Sequence, residues 1–279
     1  MTVATAVTTL SDKAVAAYRR DGFLIIREPL FPPAQLTRLE RIMNDWLIWA
    51  ELGRVPFDLN VPHATDGRLF EFLADDGVLD LIERIIGPDI AIWTSQFFHK
   101  APRTGAPISW HADSHYWTRF LNPIEVVTVW LALDDVSSAN GCLRVVSGTH
   151  RAQPFRYVNR RNDEHAFFPR GVAEEDIDTT KIVDIELGRG EAVLFDGHLL
   201  HGSQANTSDR RRSGYTMRYM PTRCSFDPVD RRPVQRLVRD VAGRVRRRLI
   251  GRDIFRHRIY LARGTDRAGN EYSPLPRSG

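Results

Sequence analysis

The spacing of hydrophobic and polar positions changes near residue 90. Before that point, apolar residues recur every three or four positions, a period that predicts amphipathic helices over 12–22, 32–52 and 78–87. Ser11 and Gly87 are typical of a helix start and a helix end, respectively. Between the first two helices, the apolar run FLIIREPL predicts a short strand. The first third of the chain is therefore predicted to be mainly helical.

From Ile90 onward, short runs rich in β-branched and aromatic residues alternate with Gly, Pro, Asn and Asp. This texture predicts strands in AIWTSQFFHK, VVTVWLALDDV, CLRVVSG, EAVLFDGHLLHGS and SGYTMRYM. The pair Asn140-Gly141 indicates a turn between two of these runs. The overall pattern favours an α+β, mainly β chain with a sandwich or barrel at its centre.

Two segments stand apart from this pattern. Residues 157–180 are polar and predict a long loop, which is either a lid over a site or a disordered surface insertion. Residues 233–251, PVQRLVRDVAGRVRRRLIG, predict a basic amphipathic helix. We favour a helix that packs on the sheet over the two alternatives, an oligomer contact and a membrane-surface patch. We expect a single domain over 1–279, with a core at about 22–221 and a helical extension at about 228–279.

Composition narrows the class of protein. A hydrophobic fraction of 42% and a charged fraction of 27% are ordinary for a globular domain. Two cysteines argue against a disulfide framework or a cysteine-rich metal site. The N-terminus lacks the pattern of a secretory signal and no run is long enough for a membrane span, so we expect a cytoplasmic protein, monomeric or homodimeric, without a membrane partner.

The net charge of +4 raises the question of nucleic-acid binding. The excess comes from arginine, which greatly outnumbers lysine, and this bias is typical of a GC-rich genome. We therefore expect no nucleic-acid partner, and steep salt-dependent binding through the C-terminal arginines would be the sign of the alternative.

Candidate chemistry begins with the segment SWHADSHYW. If it is a strand, His111 and Asp113 point to the same face and present an imidazole beside a carboxylate. Taken alone, this pair is weak evidence for a metal site, and a hydrogen-bonded surface pair is the favoured interpretation. A second segment, EAVLFDGHLLHGS, supplies His198 and His201 after a predicted strand, and a histidine from a remote strand would complete a facial triad of two histidines and one carboxylate for iron(II).

The basic group Arg210, Arg211 and Arg212 follows these histidines. A keto acid that chelates iron has a remote carboxylate, and the planar guanidinium of arginine suits it well. The alternative for Arg212 is a solvated surface charge.

Three blocks, FFHKAPRTGAPISWHADSHYW, VVTVWLALDDVSSANGCLRVVSGTH and LFDGHLLHGSQANTSDRRRSGYTMRYM, closely resemble the phytanoyl-CoA dioxygenase family, whose enzymes depend on iron(II) and 2-oxoglutarate. The resemblance implies a double-stranded β-helix, the cupin-like jelly roll, framed by N-terminal helices and followed by the basic C-terminal helix. It also implies a metal bound by His111, Asp113 and His201. The cosubstrate contacts that it implies are Arg212, Ser203, Trp130 and, on weaker grounds, Gln96.

Three further side chains are candidates for the substrate pocket. His115 and Trp117 follow the metal motif directly, although Trp117 is as compatible with core packing. Lys100 occupies a position where many relatives have lysine, for which we favour a structural role. His198 lies outside the family motif and is expected to be structural.

The resemblance implies an oxygenase that uses iron(II), 2-oxoglutarate and O2, oxidises a small molecule and releases succinate and CO2. Related halogenases have a small residue in place of the carboxylate, so Asp113 favours hydroxylation or another oxidation over halogenation. A metabolite of natural-product tailoring is the favoured substrate. The alternatives are an enzyme of this class that catalyses epimerisation, desaturation or ring closure, and a non-catalytic jelly roll that binds a metal or ligand.

Overall fold

The computed structural model describes residues 9–53, 59–152, 154–159, 170–227 and 257–276. The helices are α1 (Asp12–Asp21), α2 (Pro33–Glu51), α3 (Phe70–Leu73), α4 (Asp76–Ile86) and α5 (Ser114–Trp117). The strands are β1 (Phe23–Ile26), β2 (Ile90–Lys100), β3 (Ile108–His111), β4 (Leu121–Asn122), β5 (Val127–Ala132), β6 (Leu143–Val146), β7 (Tyr157–Asn159), β8 (Arg170–Val172), β9 (Ile182–Ile185), β10 (Ala192–Asp196), β11 (His201–Ser203), β12 (Arg212–Pro221), β13 (Ser225–Phe226), β14 (Ile259–Arg263) and β15 (Tyr272–Ser273).

The predicted N-terminal helices are confirmed together with their caps. The Ser11 side chain accepts a hydrogen bond from the Ala14 amide at 3.2 Å, and Gly22 ends α1 with φ of 82°, a conformation that suits glycine. Gly87 ends α4 as predicted. These helices form because their apolar positions face one way, and the same positions fix which side packs on the sheet.

Two sheets form the jelly roll. The larger has the strand order β1-β10-β5-β12-β2-β14-β15, and the smaller has the order β3-β11-β6-β9. A hydrophobic cluster with Trp130 and Val193 from the larger sheet and Val145 and Ile185 from the smaller one fills the space between them. The predicted mainly β jelly roll is confirmed.

Both faces of the larger sheet are covered, which explains why its central strands β5 and β12 are buried along their whole length. In β5, Val127, Val129 and Leu131 join the core under the helices, whereas Trp130 and Ala132 join the cluster between the sheets. Strand β12 follows the same alternation: its odd-numbered residues pack under the helices, and its even-numbered residues face the smaller sheet. The second face is the one that matters for the site.

The turn predicted at Asn140-Gly141 is confirmed as a 3-10 turn, Ser138–Asn140, which Gly141 ends, although the flanking strands β5 and β6 lie in different sheets. The segment 157–180 is more regular than predicted, because β7 and β8 pair as an antiparallel ribbon. Residues 160–169 between them lie outside the described residues.

The C-terminal extension, predicted to be helical over about 228–279, contains strands in its described part. Strand β14 pairs antiparallel with β2, and β15 pairs parallel with β14. The run Ile259, Tyr260 and Leu261 suits a strand, and the free edge of β2 provides hydrogen-bond partners that the local sequence does not reveal. The predicted basic helix at 233–251 lies outside the described residues. Within the described ranges, no helix combines the length and apolarity needed to span a membrane.

Candidate metal centre

His111, Asp113 and His201 come together in the space between the sheets. One potential ligand atom from each lies within 4.8 Å of the others, and all three residues are buried. His111 ends β3 and His201 begins β11, and the antiparallel pairing of these strands places the two residues directly opposite each other. His111 and His201 are therefore ninety positions apart in sequence, and the hydrogen-bond register of the smaller sheet makes them neighbours.

Asp113 reaches the cluster by a route that differs from the one predicted. Strand β3 ends at His111, and Asp113 has helical dihedral angles (φ −56°, ψ −39°) at the start of α5. Strand alternation is therefore the wrong explanation for the pair, because the strand ends at His111 and Asp113 lies in the turn that begins α5. Its Oδ1 lies 3.7 Å from His111 Nε2 and 3.9 Å from His201 Nε2.

Backbone carbonyls fix the orientation of both imidazoles. His111 Nδ1 lies 2.8 Å from the Ser109 carbonyl oxygen, and His201 Nδ1 lies 2.9 Å from that of Leu199. A carbonyl oxygen only accepts, so Nδ1 carries the proton in each ring and Nε2 is the nitrogen that could bind a metal. Both Nε2 atoms lie within 3.9 Å of Asp113 Oδ1, and the orientation of the rings by backbone carbonyls is typical of histidines that bind metals.

Burial and neighbouring charges shift the pKa values of two of these groups, His201 and Asp113. Burial, followed by the neighbouring His111, lowers the pKa of His201 to about 4, so the ring is neutral at physiological pH. Burial acts to raise the pKa of Asp113, but Arg218 and the two imidazoles outweigh it and hold the pKa below its ordinary value. A neutral imidazole at His201 and an ionised carboxylate at Asp113 are ligand forms that a divalent metal needs.

The three residues line a cavity of about 320 Å³. Arg212, on β12 of the larger sheet, and Ser203, on β11 of the smaller sheet, line it as well. The Arg212 guanidinium is buried, donates from Nε and Nη2 to the Gly141 carbonyl oxygen at 3.0 and 2.7 Å, and lies 5.3 Å from the Trp130 ring centre. The Ser203 hydroxyl is buried and has no hydrogen-bond partner among the described residues. Arg212 is therefore no solvated surface charge, and an unpaired hydroxyl lies in the same cavity.

The remaining predicted site residues divide into two groups. Gln96, Trp117 and Trp130 line the cavity. His115 and Lys100 do not: His115 stacks on Tyr157 with ring centres 3.6 Å apart, and the buried Lys100 Nζ donates to the Gln204 carbonyl. Lys100 thus has a structural contact, and burial beside Arg212 lowers its pKa to about 6.

His198 lies outside the cluster. Its Nε2 is 3.0 Å from the Ile124 carbonyl oxygen, and its amide donates to Asp196 Oδ1 at 2.8 Å. These contacts match the structural role expected for it.

The sequence analysis overlooked Arg218. This residue lines the cavity, and its Nη2 atom lies 3.4 Å from Asp113 Oδ2. A signal was present, because Arg212, Thr216 and Arg218 share one face of a strand by their even spacing. That signal becomes informative only when the face is known to border the cavity.

The β7–β8 ribbon contacts the loop that carries the ligands. The Tyr157 hydroxyl accepts a hydrogen bond from the Ala112 amide at 3.0 Å and lies 3.3 Å from the Ala112 carbonyl oxygen. The Tyr116 hydroxyl donates to the Arg170 carbonyl at 3.0 Å. The described base of the segment 157–180 therefore supports the turn between His111 and Asp113.

Comparisons with known proteins give a consistent picture. The model of the family "Phytanoyl-CoA dioxygenase (PhyH)" matches residues 18–214. The peroxisomal phytanoyl-CoA dioxygenase of Bos taurus is 26% identical over 204 residues, which cover 71% of this chain and 60% of the relative. A phytanoyl-CoA dioxygenase domain-containing protein 1 homolog of Caenorhabditis briggsae is 30% identical over 131 residues, 45% of either chain. The chain thus spans roughly half of the length of these curated relatives.

Solved structures share the fold. The non-heme monooxygenase ThoJ in its apo form has a TM-score of 0.70 and 21% identity, and the alignment covers 95% of this chain and 88% of that one. The alpha-ketoglutarate-dependent carbocyclase SnoK from nogalamycin biosynthesis has a TM-score of 0.63 and 21% identity, with coverage of 83% and 92%. At this identity the likeness establishes the jelly-roll fold.

Proposed function

Because the chain belongs to the phytanoyl-CoA dioxygenase family, we propose that it is an iron(II)- and 2-oxoglutarate-dependent oxygenase of a small-molecule metabolite. Family membership confirms the resemblance seen in the sequence and supports the dioxygenase class and its two cofactors. The reaction that we favour is hydroxylation, with release of succinate and CO2.

One observation carries the proposal: a His–Asp–His cluster shares a cavity with a buried arginine and an unpaired buried hydroxyl. Two neutral nitrogens and one carboxylate oxygen suit iron(II) and leave positions open for other ligands. An unpaired hydroxyl inside a protein is costly, so Ser203 is expected to gain a partner when the cavity is filled. A dicarboxylate would satisfy Arg212 and Ser203 at one end while the metal holds the other.

In this proposal, each residue has a separate task. His111, Asp113 and His201 hold iron(II), which together with 2-oxoglutarate supplies the activation of O2. Arg212 and Ser203 bind the remote carboxylate and so fix the orientation of the cosubstrate. The Trp130 ring packs against the Arg212 guanidinium in a cation–π contact. Apolar walls that include Trp93 and Trp117 keep water from the reacting atoms.

Asp113 bears on the outcome of the reaction. Its carboxylate occupies a ligand position that a halide would need, which supports oxidation over halogenation. The cavity volume of about 320 Å³ lies at the lower end of the range for ligand sites and supports a small substrate. We favour a natural-product intermediate, and the structural likeness to enzymes such as SnoK is compatible with that role.

Epimerisation, desaturation and ring closure are the alternative outcomes. The same fold carries a carbocyclase, so the fold alone does not choose among them. Product masses distinguish them, because hydroxylation adds one oxygen atom, desaturation and ring closure remove two hydrogen atoms, and epimerisation leaves the mass unchanged. Succinate release across a panel of metabolites identifies the substrate first.

The metal assignment is tested by anaerobic addition of iron(II) and 2-oxoglutarate. We expect a visible charge-transfer band in the wild type that disappears in His201→Ala. His198→Ala is the matched control, since His198 lies three residues away and outside the cluster, and it should keep the band. A wild type without a band, or a band that survives in His201→Ala, contradicts the proposal. A band without succinate release under air would favour the non-catalytic alternative.

A further inference from the structure

Arg218 has more hydrogen-bonding capacity than its surroundings use. Its side chain is buried and lines the cavity. Nη1 lies 3.3 Å from Thr94 Oγ1 and 3.4 Å from Thr216 Oγ1, and Nη2 lies 3.4 Å from Asp113 Oδ2. These distances are at the long end for hydrogen bonds, and Nε has no partner among the described residues. The guanidinium is therefore held in place but poorly satisfied.

The two cavity arginines lie far apart on one strand. Arg218 follows Arg212 by six positions along β12, or roughly 20 Å of extended chain. Arg212 lies beside Trp130, the end proposed for the cosubstrate, whereas Arg218 lies beside Asp113, one of the proposed metal ligands. A single cosubstrate anchored by Arg212 therefore leaves the Arg218 end for a second molecule.

The charges of the filled site point to the nature of that molecule. Among the described residues that line the cavity, Asp113 is the one carboxylate, and Arg212 and Arg218 are the two arginines. The charges of iron(II), Asp113, doubly ionised 2-oxoglutarate and Arg212 cancel one another. Arg218 then leaves one positive charge without a counter-charge in a buried space, which is unfavourable unless a ligand supplies it.

The walls at this end are aromatic. Trp93 and Trp117 pack edge to face with ring centres 4.5 Å apart, and the Arg218 Cζ lies 5.7 Å from the Trp117 ring centre. Both tryptophans and Tyr116 line the cavity. Such a pocket suits a molecule with an apolar body and a single charged group.

We propose that Arg218 binds the carboxylate of the substrate, so that the enzyme acts on small acids with an apolar body. This inference rests on the proposed function and refines it, because it names the substrate class. Anchoring the acid group at Arg218, next to the metal ligand Asp113, would place a nearby C–H bond toward the metal. Positioning of this kind lowers the entropic part of the barrier.

The test uses the anaerobic iron(II) and 2-oxoglutarate complex. A panel of aryl and alkyl carboxylic acids, each paired with its neutral carboxamide, is titrated into the complex while the charge-transfer band is followed. We expect acids to shift the band and to bind roughly tenfold or more tightly than their amides. Arg218→Gln should abolish this preference, and Arg218→Lys should restore part of it.

Arg223→Gln is the matched control, since Arg223 follows β12 and pairs with Glu125 away from the cavity. It should keep the preference for acids. An Arg218→Gln variant that retains the preference overturns the inference, and so does a wild-type complex to which acids and amides bind equally or not at all. Failure of the proposed function looks different, because the band itself would then be missing in the wild type.

Discussion

The two ends of the cavity hold their arginines in different ways. Arg212 donates twice to one carbonyl oxygen at 2.7 and 3.0 Å and has the Trp130 ring beside it. Arg218 makes three contacts of 3.3 to 3.4 Å with two hydroxyls and the Asp113 carboxylate. A rigid cation suits a ligand that is the same in every turnover, whereas a loosely held one can adjust to its ligand. We infer that the first end is built for the cosubstrate and the second for the substrate.

The largest expected effect is on 2-oxoglutarate binding when Arg212 is replaced. Arg212→Gln removes a buried charge that faces the remote carboxylate, which should weaken 2-oxoglutarate binding by about 3 kcal/mol, or roughly a hundredfold. Titration of the anaerobic band with 2-oxoglutarate measures this. Arg218→Gln should leave the same affinity within roughly threefold, because its charge lies at the other end of the cavity.

Equal losses of 2-oxoglutarate affinity in Arg212→Gln and Arg218→Gln would contradict the assignment of the two arginines to different ligands. A loss confined to Arg218→Gln would reverse it and place the cosubstrate beside the aromatic walls.

A second prediction concerns Trp130, whose ring packs beside the Arg212 guanidinium. Gly214 lies on β12 between Arg212 and Thr216, and a Cβ atom added there would lie 2.6 Å from Cε2 of Trp130. Gly214→Ala should therefore displace the indole, lower the free energy of unfolding by roughly 1–3 kcal/mol and weaken 2-oxoglutarate binding. Denaturant unfolding and the band titration measure the two effects.

Gly87→Ala is a suitable comparison for that variant, because an added Cβ at Gly87 meets nothing within 4 Å although its φ of 92° is strained for alanine. It should lose stability without losing cosubstrate affinity. If Gly214→Ala binds 2-oxoglutarate as the wild type does, Trp130 has no part in holding the cosubstrate end.

The smallest expected effect is at Ser203. Ser203→Ala removes one neutral hydroxyl donor, which should weaken 2-oxoglutarate binding by about 1 kcal/mol, or roughly fivefold. The protein without cosubstrate should become slightly more stable, since an unpaired buried hydroxyl is removed. A thermal unfolding scan with and without 2-oxoglutarate separates these opposite changes, and unchanged affinity would exclude Ser203 from the site.

The sequence predicted the local structure well where the signal is local. Helix α1 begins after Ser11 and ends at Gly22, because a hydroxyl cap and a glycine in the left-handed conformation each act within one helical turn. The fold class also followed from the change of apolar period near residue 90. The strands at 259–263 and 272–273 were missed, because the edge of β2 that they extend is remote in sequence.

The His–Asp–His cluster shows the same contrast between what local sequence predicts and what contacts remote in sequence decide. The residue types in SWHADSHYW and DGHLLHGS, with the family resemblance, were sufficient to select His111, Asp113 and His201. The reason given for the first pair was wrong, because Asp113 turns inward through a helical residue instead of by strand alternation.

What the amino-acid sequence by itself determined is the set of side chains available for chemistry and the elements that carry them, since caps, periods and ligand types act over a few residues. The tertiary structure alone decided that β3 pairs with β11, that the even face of β12 borders the cavity, and that Arg218 lies beside Asp113. Those relations depend on strand register and on the facing of two sheets, which arise from contacts between residues far apart in the chain.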